Sequence, residues 1–241
     1  MGRSRVEYAT DQITVYPRCP YSCRYCFWRV PVMASRLLRI RPKPLVEARR
    51  YLRSRRRRTI VVSFTTDPYP PQEAELKLTR KTLEILSRAR KHKVLILTKN
   101  PPLALRDLDL MLAHGDMWLG TTVIVLDIES PLEPLAPPPY ARLRALKEAH
   151  NRGVKTWLSI EPIMPDLTDV QAIVEETLDY VDMYVFGALN YARQLGLREP
   201  RPHDYEPVLP VLTLLSDLGK PFVVKKELRR HLVKLGGRPL L

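Results

Sequence analysis

Cys19, Cys23 and Cys26 are the only cysteines among 241 residues, and all three fall within a stretch of eight. The segment reads Cys19-Pro-Tyr-Ser-Cys23-Arg-Tyr-Cys26. At ~3.3–3.6 Å per extended residue, such spacing lets one loop fold three thiolates around one small body. Thiolates select soft metals: zinc, copper(I) or iron–sulfur. Structural zinc usually takes four protein ligands, and none of His92, His114, His150, His203 and His231 stands in a spaced partner motif. A four-iron cluster normally takes four cysteines. Held by three, it keeps one iron open, and an open iron is a reactive site. The competing readings are a Cys3His zinc site and three merely buried thiols. A secreted disulfide scaffold would carry more cysteines, spread along the chain.

The elements that must position this loop are short β-branched runs, each followed by an amphipathic segment. Strands are predicted at Gln12–Pro17, Thr59–Phe64, Val94–Thr98, Met117–Val125, Val154–Ile160 and Val181–Phe186, with a candidate seventh at Pro221–Val224. Helices are predicted at Leu45–Arg57, Glu73–Lys91, Pro102–His114, Pro139–Asn151, Asp169–Asp179 and Glu206–Leu218. Strands such as Thr-Ile-Val-Val are almost wholly apolar, as in parallel sheets buried on both faces. Regular β-then-α alternation gives an α/β fold, a partial or closed parallel (β/α) barrel of about six units. An open doubly wound sheet is the runner-up, but no G-x-G-x-x-G follows the first strand. The expected organisation is one core domain over 1–241, with 1–11 an N-terminal extension and about 190–241 a C-terminal extension of the barrel.

Both architectures place chemistry at the C-terminal ends of the strands. The cysteines follow the first strand. Thr65, Thr66, Asp67 and Tyr69 follow the second, and Lys99 and Asn100 the third. The fourth carries Thr121 and Thr122, and Asp127 follows it. Ser159 and Ile160 end the fifth, with Glu161 next, and Gly187 and Asn190 follow the sixth. Each has a plain structural alternative: Asp67 before Pro68 forms turns, Thr122 suits a strand, and Glu161 before Pro162 ends one.

Hydrophobic residues make up 45% of the chain, which excludes wholesale disorder. No apolar run approaches the ~20 residues of a membrane helix, and the charged N-terminus lacks a signal's apolar stretch, so a cytoplasmic protein is expected. Lys and Arg outnumber Asp and Glu by 40 to 26, a net charge of +14. That balance fits a nucleic-acid partner or a heat-adapted proteome. The few amides, many Arg and 23 Pro also suit a thermophile. The densest basic run, Arg49 to Arg58, is expected at a helix C-terminus on the face opposite the site, where arginines complement the helix dipole. Arg18, Arg24, Arg29, Arg36 and Arg39 lie in or after the cysteine loop and are candidates for facing a phosphate-bearing substrate.

The C-x3-C-x2-C motif, with the aromatic Tyr25 before its last cysteine, resembles the radical S-adenosylmethionine superfamily. Further stretches resemble one branch of it, the spore photoproduct lyase-like proteins. They are Thr66-Asp67-Pro68-Tyr69-Pro70-Pro71-Gln72-Glu73 with Leu78-Thr79-Arg80, Leu97-Thr98-Lys99-Asn100 with Leu105 to Leu110, Leu132 to Pro137, and Pro162-Ile163-Met164-Pro165. The resemblance implies a [4Fe-4S] cluster on Cys19, Cys23 and Cys26, with S-adenosylmethionine on its open iron. It implies reductive cleavage of that cofactor and hydrogen abstraction from a substrate, for which a nucleic acid is the candidate. The electron donor would be a protein such as a ferredoxin or flavodoxin. It also implies that Tyr25 packs near the adenine or cluster, and that Thr66 and Asp67 stand at the methionine amino group. Lys99 and Thr122 would hold the carboxylate, and Ser159 and Glu161 would meet the ribose. A Gly-Gly-Glu stretch common in the superfamily is missing after the second strand. The lyase's additional hydrogen-donating cysteine has no counterpart either. The alternative function is a non-catalytic, zinc- or cluster-stapled module that binds nucleic acid.

Overall fold

A computed structural model describes residues 2–3, 6–126 and 131–236. The strands are β1 (Gly2–Arg3), β2 (Asp11–Ile13), β3 (Thr59–Val62), β4 (Lys93–Thr98), β5 (Met117–Thr122), β6 (Thr156–Ile163), β7 (Met183–Ala188) and β8 (Phe222–Val224). The helices are α1 (Pro31–Leu37), α2 (Pro44–Leu52), α3 (Glu73–Leu76), α4 (Leu78–Leu86), α5 (Pro101–Ala104), α6 (Leu108–His114), α7 (Pro139–Asn151), α8 (Val170–Thr177), α9 (Val208–Asp217) and α10 (Lys226–Lys234). The strands join in chain order into one sheet. The short β1 is antiparallel to β2, and β2 to β8 are parallel throughout. The result is a curled half-barrel, the partial form of the expected architecture. Its parallel strands number seven because the candidate seventh, at β8, pairs with β7.

Strand alternation decides what lines the inside. Val61, Leu95, Trp118, Trp157 and Val185, one from each of β3 to β7, pack in a single inner cluster with Val6 and Tyr8. Their strand neighbours, among them Ile60, Val62, Ile96, Leu119, Leu158 and Phe186, pack outward under the helices. Gly120 makes room for the inner layer, since a Cβ there would lie 2.3 Å from the Trp157 ring. Two residues further along the same inner rows come Ser63, Leu97, Gly120, Ser159 and Gly187. Lys99, Thr122 and Glu161 continue those rows. The packed interior thus gives way to polar groups at the C-terminal mouth.

Several predicted elements are trimmed. The first strand stops at Ile13, because Val15 N donates to Ser63 Oγ (3.1 Å) and the chain leaves the ladder toward the cysteine loop. The helix predicted at Glu73–Lys91 breaks at Lys77, which is left-handed (φ 51°). There the Glu73 carboxylate caps the next helix by accepting from Thr79 N (2.8 Å) and Arg80 N (3.2 Å). The Pro102–His114 prediction resolves into α5, a 3-10 turn over Leu105–Asp107, and α6. Helices α1 and α10 were not foreseen, whereas α7 has the predicted bounds. No helix among the described residues is long and apolar enough to cross a membrane.

Candidate functional site

The cysteine loop runs from β2 to α1 and turns at Ser22, which is left-handed (φ 53°). Cys26 N donates to Cys23 O (3.2 Å), and Arg29 Nε donates to the same carbonyl (3.1 Å), so the loop is tied to itself around the second and third cysteines. Tyr21, buried, donates to Tyr69 O (2.6 Å) and fixes the loop to the segment after β3. All three thiols are free and border one cavity of about 420 Å3 at the mouth of the half-barrel. That volume lies in the ~300–1,000 Å3 range of small-molecule sites. Burial pushes the Cys19 thiol up to about 12 and raises Cys23 and Cys26 as well, while Lys99 acts on Cys23 in the opposite direction. A soft metal would therefore bind in exchange for thiol protons. No three Cys, His, Asp or Glu side chains among the described residues converge on a single ion.

The other seven candidates, Tyr25, Thr66, Asp67, Lys99, Thr122, Ser159 and Glu161, border the same cavity. Their local partners differ. Asp67 is buried and already engaged: it accepts from Thr98 Oγ1 (2.6 Å), Tyr69 N (2.8 Å) and Lys99 N (2.7 Å). Burial raises its pKa against those donors. Thr66 Oγ1 donates to Tyr16 O (2.7 Å). Both residues therefore brace the loop after β3, with their hydrogen-bonding capacity largely used. Thr122 and Ser159 have hydroxyls with no hydrogen bond among the described residues, and both border the cavity. Asp127, also singled out from the sequence, lies outside the described residues.

Glu161 holds Lys225 Nζ at 2.5 Å, and Gly187 leaves room for it, since a Cβ there would lie 2.6 Å from Glu161 Cγ. Lys225 follows β8, is buried, and stands 4.9 Å over the Phe64 ring. It borders the cavity with Asn190, Tyr191 and Glu227, so the segment after residue 190 supplies one wall. Sequence reading missed Lys225, whose partner is 64 residues away.

On the opposite wall Tyr25 donates its hydroxyl to Glu133 Oε1. The same carboxylate meets Arg142 Nη1 at 2.6 Å and Lys99 Nζ at 3.5 Å. Burial works against the Glu133 charge, but Lys99 and Arg142 hold its carboxyl below the usual range. Arg142 also donates to Thr122 O (2.9 Å) and Pro137 O (2.6 Å). Glu133 sits in a stretch the sequence flagged only as a resemblance, and Arg142 had no signal at all. Chemically, the cavity combines three thiols, the half-buried Lys99 ammonium, the Lys225–Glu161 pair, the Thr122 and Ser159 hydroxyls and an aromatic rim of Phe27, Trp28 and Tyr191.

A family model described as the Radical SAM superfamily matches residues 13–170. An uncharacterized protein of Methanocaldococcus jannaschii is 30% identical over 212 residues, covering 80% of this chain and 77% of that protein. Another, from Acidianus two-tailed virus, is 32% identical over 173 residues, covering 68% and 56%. Among solved structures, Streptococcus suis SuiB bound to S-adenosylmethionine has a TM-score of 0.63 at 12% identity, over 89% of this chain and 49% of SuiB. A spore photoproduct lyase double mutant with bound AdoMet and dinucleoside spore photoproduct has a TM-score of 0.62 at 14% identity, over 85% and 62%. At these identities the structures share the fold, and the chain spans about half the length of SuiB.

Proposed function

The chain belongs to the radical SAM superfamily, and on that premise we propose that it is an enzyme whose cluster sits on Cys19, Cys23 and Cys26 and whose S-adenosylmethionine lies in the adjoining cavity. The observation that carries this is the meeting of all three thiols with Lys99, Thr122 and Ser159 around one 420 Å3 space. The donor set fits a four-iron cluster. Such a body gives each thiolate its own iron, so its ligands stand around it rather than meeting at one ion. When bound and reduced, it would supply one-electron reductive cleavage of S-adenosylmethionine and, through that, radical hydrogen abstraction from a substrate.

This chain's own residues bind, orient and exclude. Lys99 offers a half-buried ammonium to the cofactor's carboxylate, with Thr122 beside it. Ser159 offers a free hydroxyl to the ribose. Glu161 reaches the ribose only by sharing itself with Lys225. Tyr25 turns its hydroxyl to Glu133, so its ring supports the loop from behind. The chain acts as one core domain, with β8 supplying a wall of the site. Anaerobic reconstitution followed by assay for 5′-deoxyadenosine tests the reading; one zinc and no labile sulfide would replace it with the stapled binding module.

For the substrate, we infer a nucleic acid. From Gln12 to Val46 the chain has seven cations and no acid: Arg18, Arg24, Arg29, Arg36, Arg39, Arg41 and Lys43. All seven are exposed. None forms an ion pair among the described residues, although Arg29 and Arg41 donate to backbone carbonyls. They flank the cysteine loop and α1, whose Met33 borders the cavity. Removing Arg18, Arg24, Arg36 and Arg39 together should weaken salt-sensitive binding to single-stranded DNA or RNA and flatten its salt dependence by roughly 0.7 per lost contact. Removing Arg53, Arg55, Arg56 and Arg57, at the opposite end, deletes equal charge. If both sets weaken binding alike, the loop is no docking surface.

A further inference from the structure

Tyr25, Lys99 and Thr122 come from the cysteine loop, the end of β4 and the end of β5, and one ion pair reaches all three. Glu133 and Arg142 are both buried and pair at 2.6 Å. Neither borders the cavity. Through the Glu133 carboxylate the pair accepts the Tyr25 hydroxyl and faces the Lys99 ammonium. Through the Arg142 guanidinium it holds the Thr122 carbonyl. The neighbouring Leu132 carbonyl accepts from Arg24 N at 2.8 Å. Residues 132–133 therefore grip residues 24–25, the stretch between the second and third cysteines.

The charges do not cancel. Two cations share one carboxylate, and the shorter contact goes to Arg142. Lys99 keeps only the 3.5 Å contact and a place 5.5 Å over the Tyr25 ring, and its side chain is 15% exposed, toward the cavity. Lys99 is half-buried, so an ammonium held at that distance from its carboxylate is still open to an anion in the cavity. We propose that Glu133 and Arg142 are positioning residues that set the Lys99 ammonium and the Cys23–Cys26 turn relative to each other, so that the cluster loop and the cofactor-carboxylate subsite form one unit. The inference rests on the reading of Lys99 given above and adds what holds it in place.

The test is a double-mutant cycle on equilibrium binding of S-adenosylmethionine to the full, anaerobically reconstituted chain, measured by calorimetry without turnover. Lys99→Met should weaken binding about tenfold or more, as for loss of a hydrogen bond to a charged group. In a Glu133→Gln background the same change should cost less than about threefold, because the ammonium is no longer held. A second cycle, Tyr25→Phe with Lys99→Met, cuts the hydroxyl contact without unpairing a buried charge, and should also shrink the Lys99 effect. It keeps the proposal testable if Glu133→Gln fails to fold. Glu73→Gln, in a buried network away from the cavity, should leave the Lys99 effect whole, which separates positioning from general destabilisation. A Lys99→Met loss as large in the Glu133→Gln and Tyr25→Phe backgrounds as in the wild type overturns the proposal. A wild-type chain that binds no S-adenosylmethionine overturns the underlying reading, and this inference with it. A wild type that binds while Lys99→Met binds equally well removes Lys99 from the subsite and defeats the inference alone.

Discussion

Two buried charge networks lie within this half-barrel, and they are built to different ends. In the first, Glu73 and Asp107 face Arg80 and Arg106. Each carboxylate oxygen takes two donors. Glu73 accepts from Tyr16 Oη (2.5 Å), Thr79 N, Arg80 N and Arg106 Nη2 (2.7 Å). Asp107 accepts from Arg80 Nη1 (2.9 Å), Arg106 Nε (2.8 Å), Arg106 Nη2 (2.9 Å) and Tyr69 Oη (3.0 Å). Arg80 also meets Asp109 at 2.8 Å and Glu84 at 3.5 Å, so each base of this network has at least two acids in contact and no cation is left over. In the second, Glu133 serves Arg142, Lys99 and Tyr25, and Lys99, on the longest contact, turns to the cavity. Buried polar groups strengthen a fold when fully satisfied. A closed network is therefore expected to act on stability, and an open one on ligand binding.

The largest effect that would sharpen this contrast lies outside both networks. Alanine at Cys19, Cys23 or Cys26 should abolish bound iron and 5′-deoxyadenosine formation, while denaturant midpoints of the metal-free chain, dominated by the core and the closed network, change little. Next comes the closed network itself. Glu73→Gln leaves Arg106 with Asp107 as its one remaining acid, while Arg80 keeps Asp107 and Asp109, and should cost about 3–5 kcal/mol in chemical denaturation, the usual penalty for breaking a buried pair on one side. A loss below about 1 kcal/mol would mean that this network is no more structural than the open one.

The sequence foretold the frame of the open network better than its members. Period-two alternation from Trp118 to Thr122 and from Trp157 to Glu161 puts those polar residues on the inner face, so strand ends could be read as one mouth. The three cysteines needed only their spacing. Glu133 is 108 residues from the Tyr25 it holds, and the loop before it has no periodicity to place it. Arg142 lies on a helix whose bounds were legible, but an arginine there reads as a solvent-facing residue until Glu133 is found beside it. Lys225 belongs to a three-residue strand, too short for a pattern. Contacts distant in sequence and built from charge leave no local trace, whereas apolar rows do.

Acid should separate the base of the barrel from the open network. His92 is fully buried; Arg58 N donates to its Nδ1 (3.1 Å), so Nε2 carries the proton and donates to Tyr51 O (3.0 Å). Burial holds its pKa below the usual 6.5. Above the unfolded value of ~6.5 both states are neutral and the contribution is complete. As pH falls through that value toward the folded one, the unfolded chain takes up a proton that the folded chain refuses, and stability is lost at up to ~1.4 kcal/mol per pH unit. Urea midpoints should fall between about pH 7 and about pH 5, and less steeply in His92→Gln. Glu133, held below the carboxylate range, stays ionised over that window. An identical slope in both proteins would assign the acid sensitivity elsewhere, with His114 and His231, both also lowered by burial, the next candidates.

Lys99→Met gives a smaller and more pointed effect. The lysine contributes one long contact to the fold and bears the cost of its own burial, so its loss should change stability by less than about 1 kcal/mol, in either direction. The same substitution is the one expected to weaken cofactor binding about tenfold. Stability and binding would then be separated within a single residue, as an open network requires. A loss of about 3 kcal/mol or more would make Lys99 a structural cation like Arg106 and erase the distinction.

The smallest effect sets the scale for all the others. Arg57, at the N-terminal ends of the strands, pairs with Asp116 at 3.0 Å, a shorter contact than Lys99 makes with Glu133. Yet its side chain is 73% exposed, and solvent and salt screen it. Arg57→Ala should therefore shift stability by no more than about 0.5 kcal/mol, with the difference shrinking as salt is raised. Helix α2 ends at Leu52, so Arg55, Arg56 and Arg57 lie beyond the reach of its dipole and add no further support. If Arg57→Ala instead matched Glu73→Gln in denaturation, contact distance would outweigh burial in this protein, and the division between closed and open networks, which rests on burial and on the balance of charge, would lose its physical basis.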